Sequence, residues 1–245
     1  MTDIHCHILP ASDDGAETMA DALAMIRAAA AGGVTSMVAT PHCNLPGDCE
    51  KNYVSFGLRD RFVALCLAVR QEKIPVEILP GSEVLCTPEL PELLYAKQLL
   101  PLAGSRYLLA EFLFDEPLSF MDAMLQTIAN YGLVPVVAHP ERYDAIQQQP
   151  QAVSDWLERG YALQLDKDSI LGGLGGRAER TAHWLLERKL AQLAASDAHD
   201  PIRRTTPLDE LRSLLSQAYS PACADLLLRD NPRRVLRGLA LQIQR

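Results

Sequence analysis

Short apolar, β-rich runs alternate with amphipathic helical stretches along the whole chain, and this alternation restricts the fold more than any other feature. The strand candidates are residues 2–8, 34–40, 76–83, 106–114, 134–139, 161–166 and 190–196. Between them lie helical patterns at 17–31, 58–72, 120–131, 151–159 and 177–189. Further helices fill 208–244, with Pro207, Pro221 and Pro232 near their starts, where proline is tolerated. Strands separated by helices pair in parallel through crossover units. Seven such units in 245 residues point to an α/β fold, a closed or nearly closed β/α barrel, with a doubly wound open sheet as the alternative. No repeat, low-complexity tract or linker breaks the pattern, so 1–245 is read as a single domain.

Composition removes several classes of function. Against 31 acidic residues there are 23 Lys and Arg, a net charge of -8 that disfavours sequence-independent binding to nucleic acid. No run of 18 apolar residues is present to span a membrane. The opening Met1-Thr2-Asp3-Ile4-His5 lacks the basic and apolar regions of a signal peptide, so a cytoplasmic location is expected. Six cysteines (Cys6, Cys43, Cys49, Cys66, Cys86, Cys223) form no CxxC pair and are expected to be reduced and mostly buried. Cys223 and Arg229 match C-x5-R, the phosphate loop of cysteine-based phosphatases. That loop needs small residues whose N–H groups cradle a phosphate, whereas the intervening residues here are a helical apolar stretch, so a core cysteine is expected. The run Gly172-Gly173-Leu174-Gly175-Gly176 lacks the full G-x-G-x-x-G pattern and reads as a loop before the next helix.

Histidine placement carries the chemistry. Of six histidines, five fall at or just after the C-terminal ends of strand candidates: His5, His7, His42, His139 and His199. His183 lies inside a helical pattern and reads as an ordinary, partly exposed residue. Carboxylates occupy matching positions in Asp14, Glu83, Glu111 and Asp197. Residues i and i+2 of a strand share a face, so His5 and His7 converge while Cys6 points away. In a parallel barrel the C-terminal strand ends meet at one mouth, where active sites are built. Imidazoles and carboxylates together suit zinc, manganese or iron. Glu83 or Glu111 buried in an apolar strand would cost several kcal/mol unless a cation or partner neutralised it.

The segments Asp3-Ile4-His5-Cys6-His7, Asp13-Asp14-Gly15 and Thr40-Pro41-His42 resemble the polymerase-and-histidinol-phosphatase (PHP) superfamily. Gly81-Ser82-Glu83, Ser105-Arg106-Tyr107 through Glu111, His139-Pro140-Glu141-Arg142-Tyr143 and Ser196-Asp197-Ala198-His199 narrow the likeness. As a set they resemble the CpsB/YwqE-type bacterial protein-tyrosine phosphatases of capsule and exopolysaccharide gene clusters, over nearly the whole chain.

The resemblance implies a distorted (β/α)7 barrel with three divalent metal ions at the C-terminal strand ends, manganese foremost, with iron and zinc as alternatives. Carried over by position, the first ion takes His5, His7, Glu83 and Asp197. The second shares Glu83 and adds Glu111 and His139, and the third takes Asp14, His42 and His199. Arg142 matches an arginine that contacts phosphate. A second arginine is expected after the Ser-Asp-x-His segment, where an ungapped reading favours Arg204 over Arg203, although the family's preceding glycine is missing. The implied reaction is hydrolysis of protein phosphotyrosine by metal-bound hydroxide without a cysteinyl intermediate, with the tail of a bacterial tyrosine kinase as partner. The alternatives are another PHP phosphoesterase, such as a histidinol-phosphate phosphatase or a nucleotide-directed enzyme, and a non-catalytic metal-binding regulatory module. A metal-dependent amidohydrolase also begins with H-x-H, but Glu83 and Glu111 fit that pattern poorly.

Overall fold

The computed structural model describes residues 1–47 and 51–243; Cys49 and the end of the 208–244 stretch lie outside the described residues. Among the described residues nine strands run in parallel: β1 (Thr2–Cys6), β2 (Ser36–Ala39), β3 (His42–Cys43), β4 (Glu77–Pro80), β5 (Glu83–Leu85), β6 (Tyr107–Glu111), β7 (Val134–Ala138), β8 (Ala162–Asp166) and β9 (Leu193–Ala195). They form two ladders, β1-β2-β4 and β3-β5-β6-β7-β8-β9.

The two ladders are parts of one ring of seven staves. Two staves run past the expected 34–40 and 76–83 and are broken near the ends of those runs, one at Thr40-Pro41 and the other at Gly81-Ser82, before resuming as β3 and β5. Proline has no N–H to give to a ladder, so the pairing must slip there. Gly81 answers that slip, because a Cβ at this position would lie 2.7 Å from Val38 Cγ1. The Gly81 N–H donates to Ala39 O (3.0 Å) and the Glu83 N–H to Pro41 O (3.1 Å), which stitches the break. Across the last seam, Cys6 bridges Ala198, the His7 N–H donates to Ala198 O (2.8 Å) and the Asp197 N–H to His5 O (2.9 Å). Asp3 locks the same seam from below, accepting from the Ser196 hydroxyl at 2.6 Å and the Ser196 N–H at 3.1 Å. This return of the last stave to the first distinguishes a distorted (β/α)7 barrel from an open doubly wound sheet.

Alternation along the staves decides what enters the ring. Tyr107, Leu109, Val136, Ala138, Leu193 and Ala195 belong to the inner apolar cluster, while Leu108, Ala110, Val137 and Ala194 pack outward beneath the helices. The same period turns Glu111 inward at the end of β6, at the level where His139 and Asp197 follow β7 and β9. Ile4 joins the inner cluster although it adjoins His5, a placement that the register irregularity of β1 between Asp3 and Cys6 permits. The helices expected from periodicity form at Met19–Ala31, Phe56–Gln71, Leu118–Asn130, Val153–Glu158 and Gly176–Glu187. The first is held by a capping box between Thr18 and Asp21. Beyond residue 208 the chain forms Asp209–Ala218, Pro221–Asp225, a π turn at Leu226–Asp230 and Asn231–Leu236. Among the described residues no helix is long and apolar enough to cross a membrane.

Candidate metal centre

The C-terminal ends of the staves bring all nine histidine and carboxylate candidates to one mouth. His5 and His7 turn inward from β1 with their Nε2 atoms 3.3 Å apart, while Cys6 faces outward and its thiol reaches Val38 O. Register pairs His42 of β3 with Glu83 of β5. Glu83 is central: its Oε2 lies 3.1 Å from His5 Nε2, 3.3 Å from His7 Nε2 and 3.0 Å from His42 Nδ1, and its Oε1 lies 3.0 Å from His139 Nε2. Asp197 Oδ1 stands 3.2 and 3.3 Å from the same His5 and His7 nitrogens. Asp14 Oδ1 faces His42 and His199 at 3.5 and 3.4 Å, and Glu111 approaches His42 and His139 at 3.4 and 3.8 Å.

Three overlapping donor sets result, each with its atoms within 4.8 Å of one another: His5, His7, Glu83 and Asp197; His42, Glu83 and Glu111; and His7, Asp14, His42 and His199. The first is the same quartet that the family resemblance assigns to one ion. The second closes around His42, with His139 beside it, and the third includes His7 as well.

The chemistry of these sets fits divalent transition ions. Nitrogen and oxygen lone pairs are crowded against one another: the buried atoms His42 Nδ1, Glu83 Oε2 and Glu111 Oε2 meet only other members of the cluster, and the buried His139 Nδ1 has no hydrogen-bond partner. The surroundings orient the imidazoles as metal ligands are oriented. Nδ1–H of His5 donates to Gln164 Oε1 (2.8 Å), that of His7 to Asp13 Oδ2 (2.7 Å) and that of His199 to Asp197 O (2.9 Å), leaving each Nε2 to face the centre. Asp13 also accepts from the His42 N–H at 2.8 Å. A Cβ on Gly15 would lie 2.2 Å from His7 O, so only glycine lets the Asp13-Asp14 turn lie against β1. His139 and Asp197 both adopt left-handed backbone conformations (φ 33° and 47°), a local strain of the kind that collects where side-chain aim matters.

Asp13 and Gln164 were not singled out from the sequence. Their signals are a second carboxylate beside Asp14 and a lone glutamine inside a buried apolar strand.

Without cations the cluster balances its charge with protons. Burial alone would raise Glu83, but the charges on His5 and His42 reverse this and hold it well below the usual carboxylate range. Burial likewise works against the charge on Asp197, and His5 and His7 hold it low. His42 is pushed up to about 10: burial opposes its charge, and Glu83 and Glu111 outweigh that. A group whose proton is held more tightly in the folded chain favours folding while protonated. For His42 that contribution is complete below about pH 6.5, its ordinary value, and is lost as pH rises through about 10. Chelator-treated protein is therefore expected to show a falling Tm across this window in thermal melts. A His42→Gln variant should flatten the slope, and a flat profile in the parent would show that His42 holds no such proton.

Two arginines flank the donors. Arg142 Nη1 lies 3.0 Å from Asp197 Oδ2 and 3.6 Å from Asp166 Oδ2, and Arg204 Nη2 pairs with the same Asp197 oxygen. Arg142 and Arg204 line the mouth, a cavity of about 270 Å³, whereas Arg203 is exposed and its N–H is bound to Asp200. Burial disfavours the Arg142 charge, but Asp197 and Asp166 outweigh it and raise its pKa further.

The remaining sequence features lie elsewhere. His183 bonds the Tyr219 hydroxyl (2.5 Å) and Ile170 O (3.1 Å) outside the mouth. The glycine run forms the loop before Gly176–Glu187. Cys6, Cys43 and Cys86 are buried free thiols and Cys66 is half-buried. Cys223 is buried in the first turn of Pro221–Asp225, its N–H capped by the Ser220 hydroxyl, and Arg229 pairs with Asp225 and Asp230. Those N–H groups are committed to a helix and cannot cradle an anion. If the phosphomonoester hydrolysis expected from the family resemblance is present, Cys223→Ser should leave it within threefold of the parent; a folded but inactive variant would place the chemistry at this cysteine.

Comparison with known proteins shows the family and the fold. Residues 1–237 match the family model described as capsular polysaccharide synthesis, CpsB/CapC. Tyrosine-protein phosphatase YwqE of Bacillus subtilis is 34% identical over 238 residues, covering 97% of this chain and 92% of that protein. Tyrosine-protein phosphatase CpsB of Streptococcus pneumoniae is 27% identical over 241 residues, covering 96% and 98%. A chain from the crystal structures of those two proteins, described as unique metal-dependent tyrosine phosphatases, superposes with a TM-score of 0.92 at 34% identity, covering 100% of this chain and 97% of the other. The phosphotriesterase of Mycobacterium tuberculosis superposes at 0.61 with 12% identity, covering 99% and 94%, a likeness of fold alone.

Proposed function

This chain belongs to the capsular polysaccharide synthesis CpsB/CapC family, and from that premise we propose that it is a metal-dependent protein-tyrosine phosphatase. One observation carries the reading: eight imidazole and carboxylate donors form three overlapping sets, His139 stands against Glu83 as a ninth, and two arginines beside them both reach Asp197. The nine donors are His5, His7, Asp14, His42, Glu83, Glu111, His139, Asp197 and His199, holding three divalent ions, with manganese the preferred one. The whole chain, 1–245, acts as one cytoplasmic phosphatase domain.

When bound, such ions supply Lewis acidity toward phosphate oxygens and a water nucleophile at neutral pH. The chain's own residues do the rest. Arg142 and Arg204 offer N–H forks to the equatorial phosphoryl oxygens, and Asp197 fixes both guanidinium groups in advance. Gln164, Asp13 and the Asp197 carbonyl hold the imidazole tautomers. No side chain is needed as a covalent nucleophile. The leaving group is a phenolate, which needs less protonation than a serine alkoxide.

The mouth opens at the rim of the barrel, which suits an extended phosphotyrosine segment, such as the tail of a bacterial tyrosine kinase, over a small metabolite. Tyrosine phosphopeptides are accordingly expected to exceed matched serine phosphopeptides and histidinol phosphate in kcat/KM by tenfold or more. A preference for histidinol phosphate would overturn the substrate assignment and leave the metal centre standing.

A further inference from the structure

Two large apolar side chains stand exposed at the edge of an otherwise ionic mouth. Leu113 is 50% exposed and Phe114 47% exposed, and both line the cavity that holds the donors and the arginines. They follow Glu111 and Phe112 on the β6 exit loop, and that loop is fixed. The Phe112 N–H donates to the Tyr143 hydroxyl (3.1 Å), the Glu116 N–H to Leu113 O (3.1 Å) and the Asp144 N–H to Phe114 O (2.8 Å). Phe112 itself is buried edge-on to Tyr143, with ring centroids 5.8 Å apart. The outward pose of Leu113 and Phe114 is therefore built in. The Arg142 guanidinium lies over the Phe114 ring, 4.8 Å from its centroid, so the phosphate-facing arginine and the exposed ring form one continuous wall.

We infer that Phe114, supported by Leu113, is the specificity-determining contact for the aromatic ring of the substrate, an inference that rests on the phosphatase reading above. An aryl ring one ester oxygen from a phosphorus held by Arg142 must lie alongside Phe114. Aromatic pairing and removal of both rings from water then favour an aryl over an alkyl phosphomonoester. A phosphoserine places only its β-carbon at that level and gains little from the wall. Phe114 thus acts on substrate choice, while the ionic floor acts on the phosphoryl group that all substrates share.

The test uses the metal-loaded protein and two non-hydrolysable probes, phenylphosphonate and methylphosphonate, with Kd measured by calorimetry. In the parent, phenylphosphonate is expected to bind about tenfold more tightly. Phe114→Ala should bring the two Kd values within about twofold by weakening the phenyl compound alone, Leu113→Ala should go part of the way, and Phe114→Tyr should restore the gap. The phosphotyrosine-to-phosphoserine ratio of kcat/KM should fall about tenfold in Phe114→Ala. Equal weakening of both phosphonates overturns the inference, because Phe114 would then only support Arg142. An undiminished gap in Phe114→Ala overturns it as well. A parent enzyme with no preference for phosphotyrosine over phosphoserine overturns the tyrosine-directed part of the underlying reading, whatever the phosphonates show.

Discussion

Removal of divalent ions by a strong chelator is expected to abolish aryl phosphate hydrolysis, with a loss of about 10⁴-fold or more, and addition of manganese is expected to restore it. That loss corresponds to roughly 5 kcal/mol of barrier, within reach of several Lewis-acid contacts acting together. The chain without cations cannot compensate. Without cations the Glu83 and Asp197 carboxylates face the His5 and His7 imidazoles, which cannot replace a Lewis acid at the phosphate. Titration with p-nitrophenyl phosphate, alongside elemental analysis of the same samples, is the measurement. Full turnover in protein shown to be metal-free would remove the nine donors from the mechanism.

Arg142→Ala is expected to lower kcat about 10²-fold while leaving metal content unchanged, the size of effect seen when a preorganised donor to developing negative charge is deleted. Arg142 is no metal donor; it sits in the turn Pro140–Arg142 that follows His139, with one Nη1 on Asp197. Its pairings with Asp197 and Asp166 hold the planar fork in one orientation. Lysine should recover only part of the loss, since it carries the charge without the fork. Because Arg142 acts on the shared phosphoryl group, the loss should be similar for aryl and alkyl phosphates, unlike that of a change at Phe114. Unchanged kinetics in Arg142→Ala would transfer the role to Arg204.

The sequence was most legible where local rules suffice. Alternation of strands and helices, His5 and His7 on one face of a strand, and histidines recurring after strand ends all follow from periodicity. These placed the staves and brought the nine donors to one mouth. Other features depend on how distant segments meet. The break at Pro41 is visible as a residue, but its matching slip at Gly81 is set by the approach of Val38 from the neighbouring stave. Asp13 and Asp14 look equivalent in a loop, yet one is pinned inward by His7 and the His42 N–H while the other faces His42 and His199. Arg203 and Arg204 are separated only by the turn that Asp200 caps. The grouping of His42 with Glu83 and Glu111 comes from the register of β3 on β5, which no spacing in the chain encodes.

The seam between the first and last staves has a consequence for the order of events in folding. Asp3 and Ser196, whose bond locks it, are 193 residues apart, and the donors divide across the same line, with His5 and His7 on one side and Asp197 and His199 on the other. Joining segments so distant carries the largest loop-closure entropy of any pairing in the ring, so the intervening staves must assemble before it repays that cost. Helical content and most of the apolar burial can thus be in place while the mouth still lacks one wall. Catalytic competence is acquired at the final closure, and any cation that binds only the closed ring draws that step to completion by mass action. Recovery of activity during refolding consequently times the meeting of residues 3 and 196, and a probe of helix content does not.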